Sequence, residues 1–184
     1  MAEMLTKKEQ RDLLKIARDT IVSYVSSAAV PAVETAARGL NLESGCFVTI
    51  KQHGQLRGCI GNFVSDQPLY RLVQEMAVSA ATRDPRFYPM KPQDLDAFEL
   101  EISVLSPLEL ISSVDEIKVG THGIYLVKNS SRGVLLPQVA TEYGWDRDTF
   151  LRNTCLKAGL PENAWQKDCE IYIFSALVFG EMQL

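Results

Sequence analysis

Cys46-Phe47-Val48-Thr49-Ile50-Lys51, then Gln52-His53-Gly54-Gln55, then Leu56-Arg57-Gly58-Cys59-Ile60-Gly61-Asn62-Phe63 has the outline of a β-hairpin. The first segment is rich in β-branched and aromatic side chains, the second supplies a turn with a glycine, and the third returns. Beyond it, Asp66 and Pro68 announce a helix whose stripe is Leu69, Leu72, Val73, Met76, Ala77, Ala80 and Ala81, a 3.6-residue period. Asp84-Pro85-Arg86-Phe87-Tyr88-Pro89 cannot continue that helix, because its prolines fix φ and remove donors. Phe98 to Val104 then alternates apolar and polar residues, the mark of a half-buried strand.

Upstream, Thr6 and Glu9 have capping-box spacing and open a helix carrying Leu13, Leu14, Ala17, Ile21 and Val25 to about Ser26. Pro31 closes that region, and residues 31–44 read as loop around a short turn. Downstream, strands are expected at 115–119, 123–128 and 132–136. Pro137 starts a short helix to about Tyr143. Asp146 caps another, stopped by Gly159 and Pro161, and one last strand runs from about Cys169 to Phe179. Strands interrupted by irregularly spaced helices point to an α+β fold with mostly antiparallel sheets and packed helices. Arg57-Gly58 and Arg132-Gly133 both stand on the return arm of a hairpin followed by helix, and Glu99-Leu100-Glu101-Ile102 parallels Glu170-Ile171-Tyr172-Ile173. A duplicated β-β-α-β unit would explain this, and so would coincidence, since Arg-Gly is a common turn dipeptide.

The chain of 184 residues is 46% hydrophobic, enough to bury a core in one domain or two fused halves. It has no apolar run near the roughly 20 residues a bilayer span needs, and the stretch Met1 to Glu9 is polar, unlike a signal peptide, so a cytoplasmic location is expected. Its 19 basic and 23 acidic residues, net −4, disfavour bulk nucleic-acid binding, which draws on phosphate neutralisation. Cys46, Cys59, Cys155 and Cys169 form no C-x-x-C pair, so neither a metal site nor a cofactor is expected and the thiols should be free.

In an extended Leu56–Ile60 segment, Leu56, Gly58 and Ile60 share one face and Arg57 and Cys59 the other. Arg57 would then favour the Cys59 thiolate, while Gly58 and Gly61 let a ligand or backbone approach closely. The plainer reading is an inert strand cysteine with glycines serving a bulge. A cysteine nucleophile wants a histidine; His53 falls at the hairpin tip, leaving His122 as the candidate base. Asp84 and Arg86 flank Pro85, and Arg86 with Arg57 could grip a carboxylate or phosphate, or an Asp–Arg pair could simply fix the corner. Glu101 lies on the polar face of its strand, and Gln138 could present its amide behind Pro137; both also suit merely solvated or loop-bonding roles.

Taken in series, Leu56 to Gly61, Asp84-Pro85-Arg86-Phe87, Ile102 to Pro107, Gly133 to Ala140 and Cys155 to Pro161 with Trp165 resemble the AMMECR-type domain family, named for the AMME-syndrome candidate region. The likeness spans about Leu13 to Phe179 and is nearest the prokaryotic branch, AmmeMemoRadiSam system protein A. The resemblance implies two interlocked β-α pseudo-repeats plus an N-terminal helix and a C-terminal strand, as one domain over 5–180 with subdomains of about 5–106 and 107–180. It implies association with a Memo-like protein and a radical-SAM protein, and carries no settled reaction. Arg57, Gly58, Cys59 and Gly61 match its hallmark loop. Three functions follow as expectations: a partner- or small-ligand-binding accessory subunit working through Leu56–Gly61; an enzyme with Cys59 as nucleophile or redox thiol; and a regulatory module binding a few nucleotides along Arg57, Arg83 and Arg86.

Overall fold

A computed structural model describes residues 5–183. Its elements fall into two compact units, residues 5–105 with 177–183, and residues 106–176.

The first unit opens with helix α1 (Lys7–Ser27). Its capping box is complete: Thr6 Oγ1 accepts the Glu9 amide at 3.2 Å and Glu9 Oε2 accepts the Thr6 amide at 2.8 Å, an arrangement worth about 1 kcal/mol. The same carboxylate accepts the Gly39 amide at 2.8 Å and so pins the loop after the helix. Strands β1 (Cys46–Gln52) and β2 (Gln55–Asn62) form the hairpin. His53 and Gly54 at its tip have φ of 52° and 75°, the two left-handed residues of the tight turn that matches strand twist. Helix α2 (Leu69–Thr82) follows, then β3 (Glu99–Leu105), which pairs antiparallel with β1. Val48 and Ile50 of β1 and Leu100, Ile102 and Val104 of β3 pack with Leu72, Val73, Met76 and Ala77 of α2 and Leu13 and Ile21 of α1. Each of these side chains except Ala77 contributes roughly 1.5–3 kcal/mol on burial.

The second unit contains β4 (Glu109–Leu110), the hairpin β5 (Gly123–Lys128) and β6 (Ser131–Leu135), helices α3 (Pro137–Glu142) and α4 (Arg147–Lys157), and β7 (Glu170–Phe174). Its core gathers Ile124, Leu126, Phe150, Leu151, Cys155, Ile171 and Ile173. Two expectations are corrected here. Residues 115–119 are not a strand: Ser113 and Glu116 close a reciprocal cap over a single 3-10 turn at Val114–Glu116. The last strand is two, because the chain breaks at Ser175, whose amide donates to Ser106 Oγ at 2.9 Å, before β8 (Ala176–Gly180).

The strand orders are β2-β1-β3-β8 and β4-β7-β5-β6. Hairpin, helix and a third strand antiparallel to the hairpin's first arm therefore occur twice, as the Arg-Gly parallel suggests. The strand after each repeat joins the other repeat's sheet: β4 pairs with β7, and β8 neighbours β3. No helix among the described residues is long and apolar enough to cross a membrane.

Candidate functional site

Cys59 stands on β2, the edge strand of the first sheet. From the turn outward, Gln52 pairs with Gln55 and Lys51 with Leu56, but Ile50 then pairs with Gly58. Arg57 is the extra residue of a β-bulge. One inserted residue changes every face beyond it. Gly58 now shares the core face with Ile50, and Cys59 lies opposite Thr49 on the face away from the helices. Leu56 moves to the face of Lys51 and is left 43% exposed. Gly58 and Cys59 keep the inner and outer faces expected of them, but Leu56 turns outward and Arg57 is buried instead of standing beside Cys59.

Gly58 has to be glycine because α2 crosses it: a Cβ there would lie 2.1 Å from the Ala80 carbonyl oxygen. Gly61 is similarly confined, 2.4 Å from the Cys46 carbonyl oxygen and the Phe47 ring. Both glycines serve close packing of the chain on itself.

Arg57 is buried. Its Nη2 donates to the Tyr88 carbonyl at 2.9 Å and lies 3.8 Å from Asp94, and its guanidinium stacks 4.6 Å from the centre of the Tyr88 ring. Nε and Nη1 are enclosed without a partner. The guanidinium thus holds down the chain from Phe87 to Asp94.

The cation next to Cys59 is Arg86. Asp84, 4% exposed, takes the Arg86 Nε at 2.9 Å, its Nη2 at 2.7 Å and its amide at 3.1 Å. The same carboxylate accepts the Cys59 amide at 2.9 Å, and Arg86 Nη2 reaches the Cys59 carbonyl at 3.4 Å. The corner thereby covers hydrogen-bonding groups that an edge strand otherwise leaves open. The Arg86 hydrogen bonds, with those from the Cys59 and Arg86 amides, hold the Asp84 carboxyl well below the usual carboxylate range despite its burial. The Arg86 side chain remains 54% exposed.

Across the sheet, Cys59, Thr49 and Glu101 form one row. Thr49 Oγ1 donates to Cys59 Sγ at 3.2 Å, the thiol is half-buried, and Glu101 binds Lys51 Nζ at 2.9 Å. The assembled face is therefore a thiol, a hydroxyl, a guanidinium and an ion pair. Thr49, Lys51, Tyr88 and Asp94 were not legible as site residues, because only the bulge brings Thr49 opposite Cys59 and only the folded corner brings Tyr88 to Arg57. His122 and Gln138 belong to the second unit. His122 Nδ1 accepts the Lys118 amide at 3.2 Å and closes a turn, and Gln138 is half-buried at the start of α3. Among the described residues no group of three His, Cys, Asp or Glu is disposed to hold a metal.

The protein is thus of the α+β class, with a β-β-α-β path used twice and a bulged Arg-Gly-Cys edge strand clamped by an Asp-Pro-Arg corner. The AMMECR1 family model matches residues 14–179, and the chain belongs to that family. It is 43% identical to protein MK0488 of Methanopyrus kandleri over 98% of this chain and 92% of that protein. It is likewise 43% identical to a protein of Methanothermobacter thermautotrophicus, covering 96% of each. The crystal structure of uncharacterized protein PH0010 from Pyrococcus horikoshii superposes with a TM-score of 0.88 at 35% identity, covering 98% of this chain and 95% of that one.

Proposed function

We propose that this chain is a binding subunit that engages a protein partner or small ligand through the face around Cys59. One observation carries the reading: the buried Asp84 carboxylate fixes a half-exposed guanidinium beside a half-buried thiol, at a strand edge. The same pairing that anchors the corner leaves about half of that guanidinium open to solvent in a fixed position. Rigid presentation lowers the ordering cost of binding, and a guanidinium with free donors suits a carboxylate or phosphate on the incoming group.

The resemblance to AmmeMemoRadiSam system protein A makes a Memo-like protein and a radical-SAM protein the partners to try first. Affinity-tagged chain should retain one of them at micromolar concentration, and Arg86→Glu, which also lowers the melting temperature by unpairing the buried Asp84, should weaken retention roughly tenfold at a temperature where circular dichroism shows the fold intact. Absence of association with either, together with an Arg86→Glu chain that behaves as the parent, would remove this reading.

A second reading, Cys59 as nucleophile or redox thiol, draws on the Thr49 hydroxyl donated to its sulfur. Cys59→Ser separates the two, since a binding face tolerates it and a thiol chemistry does not. The reading as a nucleotide-binding groove along Arg57, Arg83 and Arg86 loses its first member, because Arg57 is buried beneath Tyr88.

A further inference from the structure

The first unit holds a cavity of about 590 Å³ that has no part in the Cys59 face. It is walled by Tyr24 of α1, by the loop Val30–Glu34, and by the outer side of α2 from Tyr70 to Val78, with Arg83 at the helix end. Small-molecule sites occupy about 300–1,000 Å³, mostly apolar with a few placed polar groups. This one has that composition: tyrosine, valine and proline surfaces around one buried amide.

That amide is Gln74, more than nine-tenths buried. Its Nε2 donates to Thr20 Oγ1 at 3.2 Å and to the Pro31 carbonyl at 2.9 Å. Both N–H groups are therefore used in tying the loop and α1 to α2. Among the described residues nothing donates to its Oε1. That oxygen is not sealed from solvent, and it belongs to a side chain that lines the cavity, where it stands as an acceptor open to an occupant. An incoming N–H or O–H would satisfy it.

The rim fixes the rest of the occupant. Arg71 donates through Nε to Tyr70 Oη at 3.0 Å, which leaves its terminal nitrogens free, and Arg83 has no carboxylate partner among the described residues. The carboxylates at the rim are Glu75, turned to Gln67 Nε2 at 2.8 Å, and Glu34 on the loop. Guanidinium forks match planar oxyanions better than any other side chain. We infer that the cavity between the Val30–Glu34 loop and α2 binds an amphipathic organic anion: an apolar ring body against Tyr24, Pro31 and Val78, a hydrogen-bond donor on Gln74, and a carboxylate, sulfonate or phosphate at Arg71 and Arg83.

The dye 1-anilinonaphthalene-8-sulfonate carries all three features and serves as the probe. Its fluorescence in the native protein should report one site with a dissociation constant below about 100 µM. Arg83→Glu and Ala32→Trp both alter exposed positions, so folding, checked by circular dichroism, should persist. The charge reversal should weaken binding roughly tenfold, the cavity-filling tryptophan should abolish it, and Arg86→Glu should leave it unchanged. No binding to the native chain, equal binding by all three variants, or tighter binding by Arg83→Glu, as a cation site requires, would overturn the assignment.

Discussion

Asp84 is the residue on which the Cys59 face turns. Replacing it by Asn leaves a buried amide against the Cys59 N–H and Arg86 without its counter-charge; about 2–3 kcal/mol of stability should be lost, readable by urea denaturation. The pH dependence has a definite sign. A carboxyl whose folded pKa lies below its unfolded value of about 4 stabilises fully at neutral pH, and that contribution fades as pH falls from about 4 toward the folded value. The Asp84→Asn chain should therefore be weaker at pH 7 and lose less additional stability between pH 4 and 2 than its parent. A parallel pair of curves would contradict the account. Arg57 calls for a different prediction: because it is buried under Tyr88 and bonded to that residue's carbonyl, Arg57→Ala should cost about 2 kcal/mol of stability. A residue serving only a ligand would change stability by less than about 0.5 kcal/mol. Sequence alone marked the Arg-Gly-Cys loop as special. It did not show which arginine faces the thiol, because a bulge is a register event, and one residue of register exchanges the faces.

At the scale of elements, periodicity was sufficient wherever one face is buried. Helix α2, the hairpin and β3 lie within a residue or two of the positions their patterns indicate. It failed at residues 115–119, where local Ser and Glu caps outweigh apolar content, and at Ser175, where one run of β-forming residues is divided between two sheets. The repeat gains a physical meaning in its glycines. Gly58 faces the Ala80 carbonyl of α2, and Gly133 faces the Thr154 carbonyl of α4, where a Cβ would lie 2.3 Å away. Each arginine-glycine pair marks where a helix rides on a hairpin arm. Gly58→Ala and Gly133→Ala should each cost about 2–3 kcal/mol, the range of overpacking against unyielding backbone. Melts within experimental error of the parent would show that the helices are free to lift.

Over the whole chain, residues 177–183 group with the first unit, although the second unit precedes them in sequence. Strand β8 neighbours β3, while Glu181 accepts Arg18 Nε and Nη2 at 2.6 Å each and the Leu100 amide at 2.9 Å. A chain ending at Ser175 loses that strand and carboxylate and leaves β3 as an open edge; its melting temperature should fall by about 10 °C or more. The binding reading is tested most directly by alkylating the native protein with iodoacetamide and mapping the four cysteines by mass spectrometry. Cys46 and Cys155 are fully buried and burial raises both thiols, Cys46 to about 12, so they should label only after denaturation. Cys59 should label in the native state and be protected when a Memo-like or radical-SAM partner is added. A Cys59 that reacts only on unfolding, or at the same rate with the partner present, would contradict the account.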